Sequence, residues 1–572
     1  MARSLITVCE SGCHYTTITE ALNIATSPGD IVEIQDSRIY RENIFWNANG
    51  SSDNYIILQA QSGCTPIIMD YIWLIGSYQQ LGAGPGYGTI TVSSDNSSWI
   101  DGAVSMGSSG HHNIVRYTNI IDVRNGVGIY ISDNSHNNLI ENIIMDNIHY
   151  ANGAAGTGAS GIRIRGYQNI IQNCTLYTVS HDNIGIEASS AHNNKIINNY
   201  FNNKWGHGIA FSQYSGGYSS YTLIEGNTFE NIASLAESNG KNCIQISGAN
   251  HITIRKNVFI RPYHRAFEIS CYSSGTAANE DVWIYNNTFY NIGWQGITQA
   301  TAGVVQHNVG PYTSEGKINN IKWYNNILEK VGQNQTQGQG YWEDPFYAVW
   351  ILAYYAGNDA GCGESGLINN DWNGNILKNN CIRVYYSGAY HTDYDHTIYY
   401  MGAGGSNCDV WYSAIGVNGI GSASGNIVDD PLFNNPEGGD FSLQQSSPCI
   451  DSGIVVYDSN ATIGGWNQLT YSGSAPDIGA YEYQQGGVKE DSTIQVYPNP
   501  CKVYMGETFI IFDNLNVGNI IKVFDISGKI IHNSENITSD TYIWNVNNMS
   551  SGIYFYKIAG SNKASGKIVI IR

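Results

Sequence analysis

Leu139-x-x-Asn142, Ile170-x-x-Asn173, Ile196-x-x-Asn199, Ile224-x-x-Asn227, Ile254-x-x-Asn257, Ile284-x-x-Asn287, Trp323-x-x-Asn326: seven times between residues 119 and 328 the chain sets an apolar residue, two spacers and an asparagine. Each is followed, after a gap, by a short strand-like run. The runs are Gly128-Ile129-Tyr130-Ile131, Gly161-Ile162-Arg163-Ile164, Gly185-Ile186-Glu187-Ala188, Gly208-Ile209-Ala210-Phe211, Cys243-Ile244-Gln245-Ile246, Ala266-Phe267-Glu268-Ile269 and Gly296-Ile297-Thr298-Gln299. The shortest repeats are roughly 23 residues and lack helical periodicity, which predicts a β-solenoid. Asparagine accepts left-handed backbone angles at a corner. Stacked on the next coil, its amide also satisfies a buried polar group.

Such a stack resembles the asparagine ladder of right-handed parallel β-helix proteins. The resemblance implies that the ladder lies between the second and third strands of each coil, with the Gly-Ile-x-Ile runs as the first strand. A 572-residue chain exceeds one compact core, but a solenoid escapes that limit because each coil contacts only its neighbours. Charged residues are 13% of the chain, against 64 glycines and 41 tyrosines, a turn-rich β composition rather than a disordered one. A net charge of −20 argues against a nucleic-acid partner and works mildly against a polyanionic substrate.

Residues 1–75 read as a cap and first coils, with a short helix near Ala21-Leu22-Asn23-Ile24-Ala25 and a strand at Ile31-Val32-Glu33-Ile34. Cysteine, Tyr15-x-x-Ile18, short helix, Pro28-Gly29-Asp30 and strand, in that order, resemble the start of many secreted β-helix proteins. The β-helix proper is expected over 76–445. Within it, 76–110 is Gly- and Ser-rich and irregular, and 331–425 carries long aromatic-rich insertions that suggest functional loops. Of eleven cysteines, Cys9 and Cys13 are close enough to bridge, and Cys362, Cys381 and Cys408 share one region. Cys174, Cys243 and Cys271 read as buried thiols, and zinc spacing is absent. No apolar run reaches membrane-span length. The chain enters strand pattern soon after Met1-Ala2-Arg3 with no visible signal peptide, so a leader is expected to have been removed or to lie outside this sequence.

Asp430-Pro431-Leu432-Phe433, Gly439-Asp440-Phe441-x-Leu443, Ser447-Pro448-Cys449-Ile450-Asp451-x-Gly453 and Asp477-Ile478-Gly479-Ala480-Tyr481-Glu482-Tyr483 resemble the closing segment of variably anchored bacterial surface β-helix proteins. That segment is assigned to 446–485, and 486–494 reads as a linker. Over 495–572, Tyr497-Pro498-Asn499-Pro500, Asp525-Ile526-Ser527-Gly528 and Ser551-Gly552-Ile553-Tyr554 resemble the C-terminal sorting domain of the Bacteroidetes type IX secretion system. The resemblance implies export through that machinery, a secreted or cell-surface location, and a β-sandwich normally cleaved off.

In a Gly-Ile-x-Ile strand, x faces outward, and rungs lie about 4.8 Å apart. The outward column therefore reads Tyr130, Arg163, Glu187, Ala210, Gln245, Glu268, Thr298, with His181, Asp182, Lys204, Trp205, His207, Lys241, His264 and Arg265 just before these strands. In the polysaccharide lyases and glycoside hydrolases of this architecture, the cleft usually follows the first sheet. The resemblance gives location only. Gly206-His207-Gly208 matches a polygalacturonase tripeptide without its partner aspartates and is discounted. Hydrolysis needs carboxylates roughly 5–9.5 Å apart; Glu187 and Glu268, about 14 Å apart on this reading, are too far, so Glu187 with Asp182, or Glu268 with an acid from a loop, would be needed instead. β-Elimination needs a base, an acid and a cation. The candidate catalytic set is His264, Arg265, Glu268, Lys241, His207 and Glu187, with Arg163, Gln245, Asp182 and Trp205 binding substrate. A surface ion pair is the commoner role for Arg163 beside Glu187. No cofactor is called for, although calcium at Asn369-Asn370-Asp371 or Asp429-Asp430 is admissible, without a recognisable ligand spacing. The expectation is an exported protein that binds and cleaves an extracellular polysaccharide. The alternative is a non-catalytic adhesin or self-assembling matrix protein.

Overall fold

The computed structural model describes the chain except residues 1–2, 97, 150–158, 213–218, 234–240, 264, 272–277, 293–304, 310–316, 332–348, 355–375, 387–388, 392–397, 404–421, 484–493 and short stretches after 497. Side-chain orientations of Thr7, Glu33 and Gln59 to one side, and Ile6, Val32 and Leu58 to the other, follow from strict alternation in the parallel pairing of Leu5–Val8, Ile31–Ile34 and Ile56–Ala60. From there a 14-stranded parallel sheet takes one strand from each coil, ending at Ser422–Ser424. Two further parallel columns carry the other strands of each coil: Ile162–Ile164, Ile170–Gln172 and Thr175–Leu176 form one coil, and each pairs with its counterpart above and below. The result is a parallel β-solenoid.

Because both neighbours of every inner strand are identical in kind, like residues stack. Phe201, Phe229, Phe259 and Phe289 form a column with ring centroids 4.6–4.8 Å apart and planes within 6°. Isoleucines of the second strands, Ile140, Ile171, Ile196, Ile224, Ile254 and Ile284, form another, all fully buried.

The corner asparagines divide two duties that the sequence reading had given to one residue. Asn142, Asn173, Asn198, Lys256, Asn286, Asn325 and Asn379 hold left-handed φ of 51–55°. The ladder residue is the next one along. Asn199 Oδ1 accepts the main-chain N–H of Cys174, and Asn227, Asn257, Asn287, Asn326, Asn380 and Asn426 follow rung by rung at 2.9–3.0 Å. Asn142 and Asn173 are therefore corner residues, and the ladder positions beside them are Ile143 and Cys174. A second ladder, not foreseen, runs before the second strands: Gln79 donates to Asn113, Asn113 to Asn138, Asn138 to Asn169 and Asn169 to Asn194.

One other expectation is corrected. Residues 76–110 are not irregular: Gln79–Leu81, Ile90–Ser94 and Val104–Met106 continue the columns. Coils also run through 331–425, with strands at Val349–Tyr354, Ile376–Lys378, Cys381–Tyr386 and Ile398–Ala403, while Cys362 and Cys408 lie outside the described residues. At the N-terminal end, helix Ile18–Ile24, capped by Thr17, buries Ile18, Ala21 and Leu22, and Cys9–Cys13 is a disulfide.

The closing segment does not cover an end. It runs back along the outer face of the 14-stranded sheet. Asn325 Nδ2 donates to Ile454 O (2.8 Å), Asn286 Nδ2 to Asp477 O (2.8 Å) and Lys195 Nζ to Gly465 O (2.5 Å). Asp458, 1% exposed, accepts from Thr253 Oγ1 (2.8 Å) and Trp466 Nε1 (3.1 Å). Arg255 is buried beneath it, donating to Glu225, Tyr285 and the carbonyl of Asn467.

The second compact unit is centred on residues 484–572. A three-stranded sheet (Gln495–Tyr497, Phe509–Asp513, Tyr542–Asn545) and a five-stranded sheet ordered Cys501–Lys502, Ala564–Ile571, Gly552–Ala559, Ile520–Phe524, Ile530–Asn533 enclose Ile510, Phe512, Val523, Trp544, Ile558 and Ile568. Its Asp525-Ile526-Ser527-Gly528 stretch is a tight turn: Asp525 Oδ1 accepts from Ser527 and Lys529, and Gly528 takes φ +84°.

Candidate functional site

The outward column of the first strands is set by register. Phe45, Trp73, Ser105, Tyr130, Arg163, Gly185, Ala210, Gln245 and Glu268 pair one with the next, and the backbone register continues to Gln306. Glu187 is not in this column. It sits two residues on, opposite Ser212. A two-residue slip preserves in–out alternation, so the hydrophobic pattern alone cannot detect it. Thr298 lies outside the described residues, and the strand paired with Glu268 is Val305–Val309.

Gly185 and Ala210 leave a low floor between Arg163 and Gln245. A methyl group built on Gly185 would lie 3.2 Å from Ser160 Oγ and 3.7 Å from both Asp182 Oδ2 and Glu187 Oε1. Asp182 Oδ2 and Glu187 Oε1 are therefore at most about 7.4 Å apart over a glycine floor, below the roughly 9.5 Å upper limit for paired-carboxylate sites. Arg163 stands beside them, 3.3 Å from Glu187 and 5.9 Å from the Trp99 ring.

Asp182 is 4% exposed, and its Oδ1 has no hydrogen-bond partner. Its Oδ2 accepts from His181 Nδ1 at 2.6 Å. Burial works to raise this carboxyl, but His181, with His207 and Lys241, outweighs it and holds Asp182 below the usual carboxylate range. His181 itself is a half-buried side chain, 27% exposed. With Nδ1 on Asp182, Nε2 is the ring nitrogen left to exchange a proton.

His207 pairs in register with Asp182 but is 3% exposed. Burial pushes its imidazole down to about 3, with Lys241 and His181 adding to the effect against Asp182. Its Nδ1 accepts the main-chain N–H of Asn242 (2.9 Å), so the neutral ring carries its proton on Nε2. The flanking glycines follow from packing. A side chain on Gly206 would strike the His181 carbonyl at 1.2 Å, and one on Gly208 would strike the Cys243 carbonyl at 2.6 Å.

One rung further, Arg265 donates to Glu268 (2.8 Å), which also accepts from Asn242 Nδ2 (3.0 Å). Both ends of this pair are buried, at 8% and 4% exposed. Gln245 is half-buried beside Glu268, and Trp205 is half-buried on the loop held by its N–H to Asn203 Oδ1 (3.1 Å). Lys241 is near enough to Asp182 and His207 to act on both charges. His264 lies outside the described residues. The structure thus brings Asp182, Glu187, Arg163, His207 and Lys241 together, and sets Arg265 and Glu268 in a closed pair alongside. Sequence reasoning placed His181 near the groove but did not select it. The signal was adjacency to an aspartate at the mouth of a strand. It also passed over Phe45, Trp73 and Trp99, which line the groove's other end, Phe45 and Trp99 being 44% and 42% exposed.

Of the calcium candidates, Asn369, Asn370 and Asp371 lie outside the described residues, and Asp430 pairs with Arg383 at 3.0 Å. Among the described residues, no three His, Cys, Asp or Glu side chains converge on a metal-sized point, and no helix is long and apolar enough to cross a membrane.

Residues 152–289 match the family described as right handed beta helix region, and residues 495–572 match the secretion system C-terminal sorting domain. No curated protein matches the chain by sequence. Among solved structures, the chain is similar to pectate lyase Pel9A (14% identity, 85% of this chain and 97% of that one, TM-score 0.41). It is also similar to an alginate lyase from Paenibacillus sp. str. FPU-7 (15%, 59% and 98%, TM-score 0.37) and to PfbA, a surface adhesin of Streptococcus pneumoniae (14%, 69% and 90%, TM-score 0.37). The protein is all-β, a right-handed parallel β-helix followed by a type IX sorting domain, and that domain marks it as secreted or cell-surface.

Proposed function

For a right-handed β-helix bearing a secretion sorting domain, we propose an extracellular protein that binds a polysaccharide along its first-strand groove and cleaves it at the Gly185 floor by β-elimination. One observation carries this reading: His181, half-buried just before the first strand, is oriented by the buried, ionised Asp182. A fixed carboxylate behind Nδ1 selects the tautomer whose Nε2 accepts a proton. Abstraction next to a carbonyl-bearing carbon needs a cation to disperse the developing charge, and Arg163 and Lys241 supply it. Their two charges offset those of Asp182 and Glu187, so the floor is not net acidic despite the overall charge of −20. The small Gly185 and Ala210 leave room for a sugar ring over this base. Export through the type IX machinery would deliver the protein to its substrate, with residues 495–572 removed afterwards.

The experiment is incubation of the full chain with a panel of uronate-containing and neutral polysaccharides, following absorbance from new carbon–carbon double bonds and the release of reducing ends. Double bonds formed by the native protein and lost in His181→Ala support elimination. Reducing ends without double bonds would shift the reading to hydrolysis by Asp182 and Glu187.

A second reading is a non-catalytic adhesin or self-associating matrix protein. The ion pairs Arg265–Glu268 and Arg163–Glu187 favour it, because charges held in a pair are structural more often than reactive. Silence in both assays together with retained glycan binding or self-association would establish it.

A further inference from the structure

Away from the first-strand groove, the third strands meet residues 430–444, just before the closing segment, around a cavity of 260 Å³. Its walls come from Tyr290, Lys330 and Glu329 on the coils and from Leu432, Pro436 and Gln444 of that stretch. The charges at this site are matched. Lys330 Nζ donates to Tyr290 Oη (2.7 Å) and Glu437 (2.9 Å), and Tyr290 Oη donates to Glu437 (2.5 Å). Arg383 lies 3.1 Å from Glu329 and 3.0 Å from Asp430. An ionic ligand would have to open one of these pairs and leave its partner uncompensated, which costs several kcal/mol where the pair is buried.

What the cavity offers instead is uncharged complementarity. Lys330 uses two of its three N–H donors on Tyr290 and Glu437. Gln444 Nε2 is anchored on the Phe433 carbonyl (2.7 Å), which fixes its amide with the carbonyl oxygen as an acceptor. Leu432 and Pro436 add an apolar wall. Leu432 is held at φ +51°, a strained angle for a branched apolar residue, by the hydrogen bond from its N–H to Asp430 Oδ1 (2.9 Å). A donor, an acceptor and one apolar wall in a cavity below the ~300–1,000 Å³ of drug-sized sites suit one small ring carrying hydroxyls.

We propose that this cavity binds a single neutral sugar unit, free or at the end of a glycan, as a site separate from the first-strand groove. The proposal does not rest on the elimination reading. Its test is titration of the full chain, by calorimetry and saturation-transfer NMR, with methyl glycosides of glucose, galactose, mannose and N-acetylglucosamine. Methyl glucuronide and glucosamine serve as charged controls, and the corresponding disaccharides separate a free sugar from a chain end. The expected result is that at least one neutral glycoside binds with a Kd on the order of 1 mM. Lys330→Met and Leu432→Gly should each weaken it about tenfold, and His181→Ala should leave it unchanged. Leu432→Gly guards against misfolding, because glycine adopts the left-handed angle without strain. The proposal is overturned if no neutral glycoside binds, if a charged control binds best, if both cavity substitutions leave binding intact, or if His181→Ala abolishes it.

Discussion

Asn257 sits mid-ladder, so its truncation measures what the ladder contributes. Its Oδ1 accepts the main-chain N–H of Asn227 (2.9 Å) and an amide N–H of the same residue (2.9 Å). Its Nδ2 donates to Asn287 Oδ1 (3.0 Å) and to the Ile224 and Arg255 carbonyls (both 2.9 Å). Asn257→Ala is asymmetric. Asn287 Oδ1 keeps the main-chain N–H of residue 257, and the Asn227 amide keeps Ile196 O. The buried N–H of Asn227 loses its acceptor outright. One fully buried orphan costs about 1–3 kcal/mol, and the lost carbonyl contacts and small void add about 1 kcal/mol more. The expected destabilisation is about 3 kcal/mol, read from urea unfolding of the β-helix and from faster exchange of the Asn227 amide. Lys256→Gly, one residue away at φ 55°, is the control. Relief of left-handed strain, about 1 kcal/mol, offsets the added chain entropy, about 0.5–1 kcal/mol, so little net change is expected. A cost under about 1 kcal/mol for Asn257→Ala, or an equal cost for both substitutions, would refute the division of labour between corner and ladder.

Phe259→Ala opens the middle of the ring column and should cost about 3–5 kcal/mol in the same unfolding assay. If the groove is catalytic, Asp182→Asn should lower the turnover rate about 10²–10⁴-fold with a smaller change in KM, because it removes the carboxylate behind the base; an unchanged rate would remove His181 from the mechanism. Glu482 is pushed up to about 7 by burial and by Asp477. The unfolded chain therefore releases that proton first, near the ordinary 4.5, and stability falls as pH rises from about 4.5 to 7. Glu482→Gln should flatten that slope and raise the melting temperature at pH 8. At the second-strand corner, His111, His136, Tyr167 and His192 stack at 4.8–5.1 Å. Burial and the neighbouring His111 lower His112 and His136 below the usual histidine range. The unfolded chain takes up those protons first, so stability should fall as pH drops below about 6.5, and His136→Tyr should lessen the loss in an acid melt.

The coil itself was legible because its signals are local and repeated. An apolar residue three before each asparagine, and Ile-x-Ile after each gap, reflect an inward face that every coil must supply for itself. The split between corner and ladder was not legible, because in Asn198-Asn199, Asn286-Asn287 and Asn325-Asn326 both residues are asparagine. Gly226-Asn227, Lys256-Asn257 and Gly425-Asn426 separate the roles with the ladder residue second, whereas Asn142-Ile143 and Asn173-Cys174 keep only the corner asparagine. The second ladder, Asn113 to Asn194, was missed because the residue before it varies among His112, Asn137, Gln168 and Asn193, so no spacing repeats.

The groove shows where pattern reasoning stops. Hydrophobic alternation fixes which residues face out, but it is blind to a shift by two. Reading Gly185-Ile186 in place of Ile184-Gly185 put Glu187 in the line of Arg163 and hid the glycine. Yet the glycine makes the site, since any side chain there would fill the space between Asp182, Glu187 and Ser160. Glu187 and Glu268 were already too far apart on the sequence reading, and of the two pairs it offered instead, Asp182 and Glu187 are the ones that flank Gly185. Burial then sorts the histidines in a way no spacing records. His207, in register with Asp182, is enclosed and neutral, while His181, the residue before Asp182, is half-buried and bonded to it. The position of a proton-transfer group in a solenoid is thus decided by how each coil enters its first strand, and that entry is where the sequence repeats are least alike.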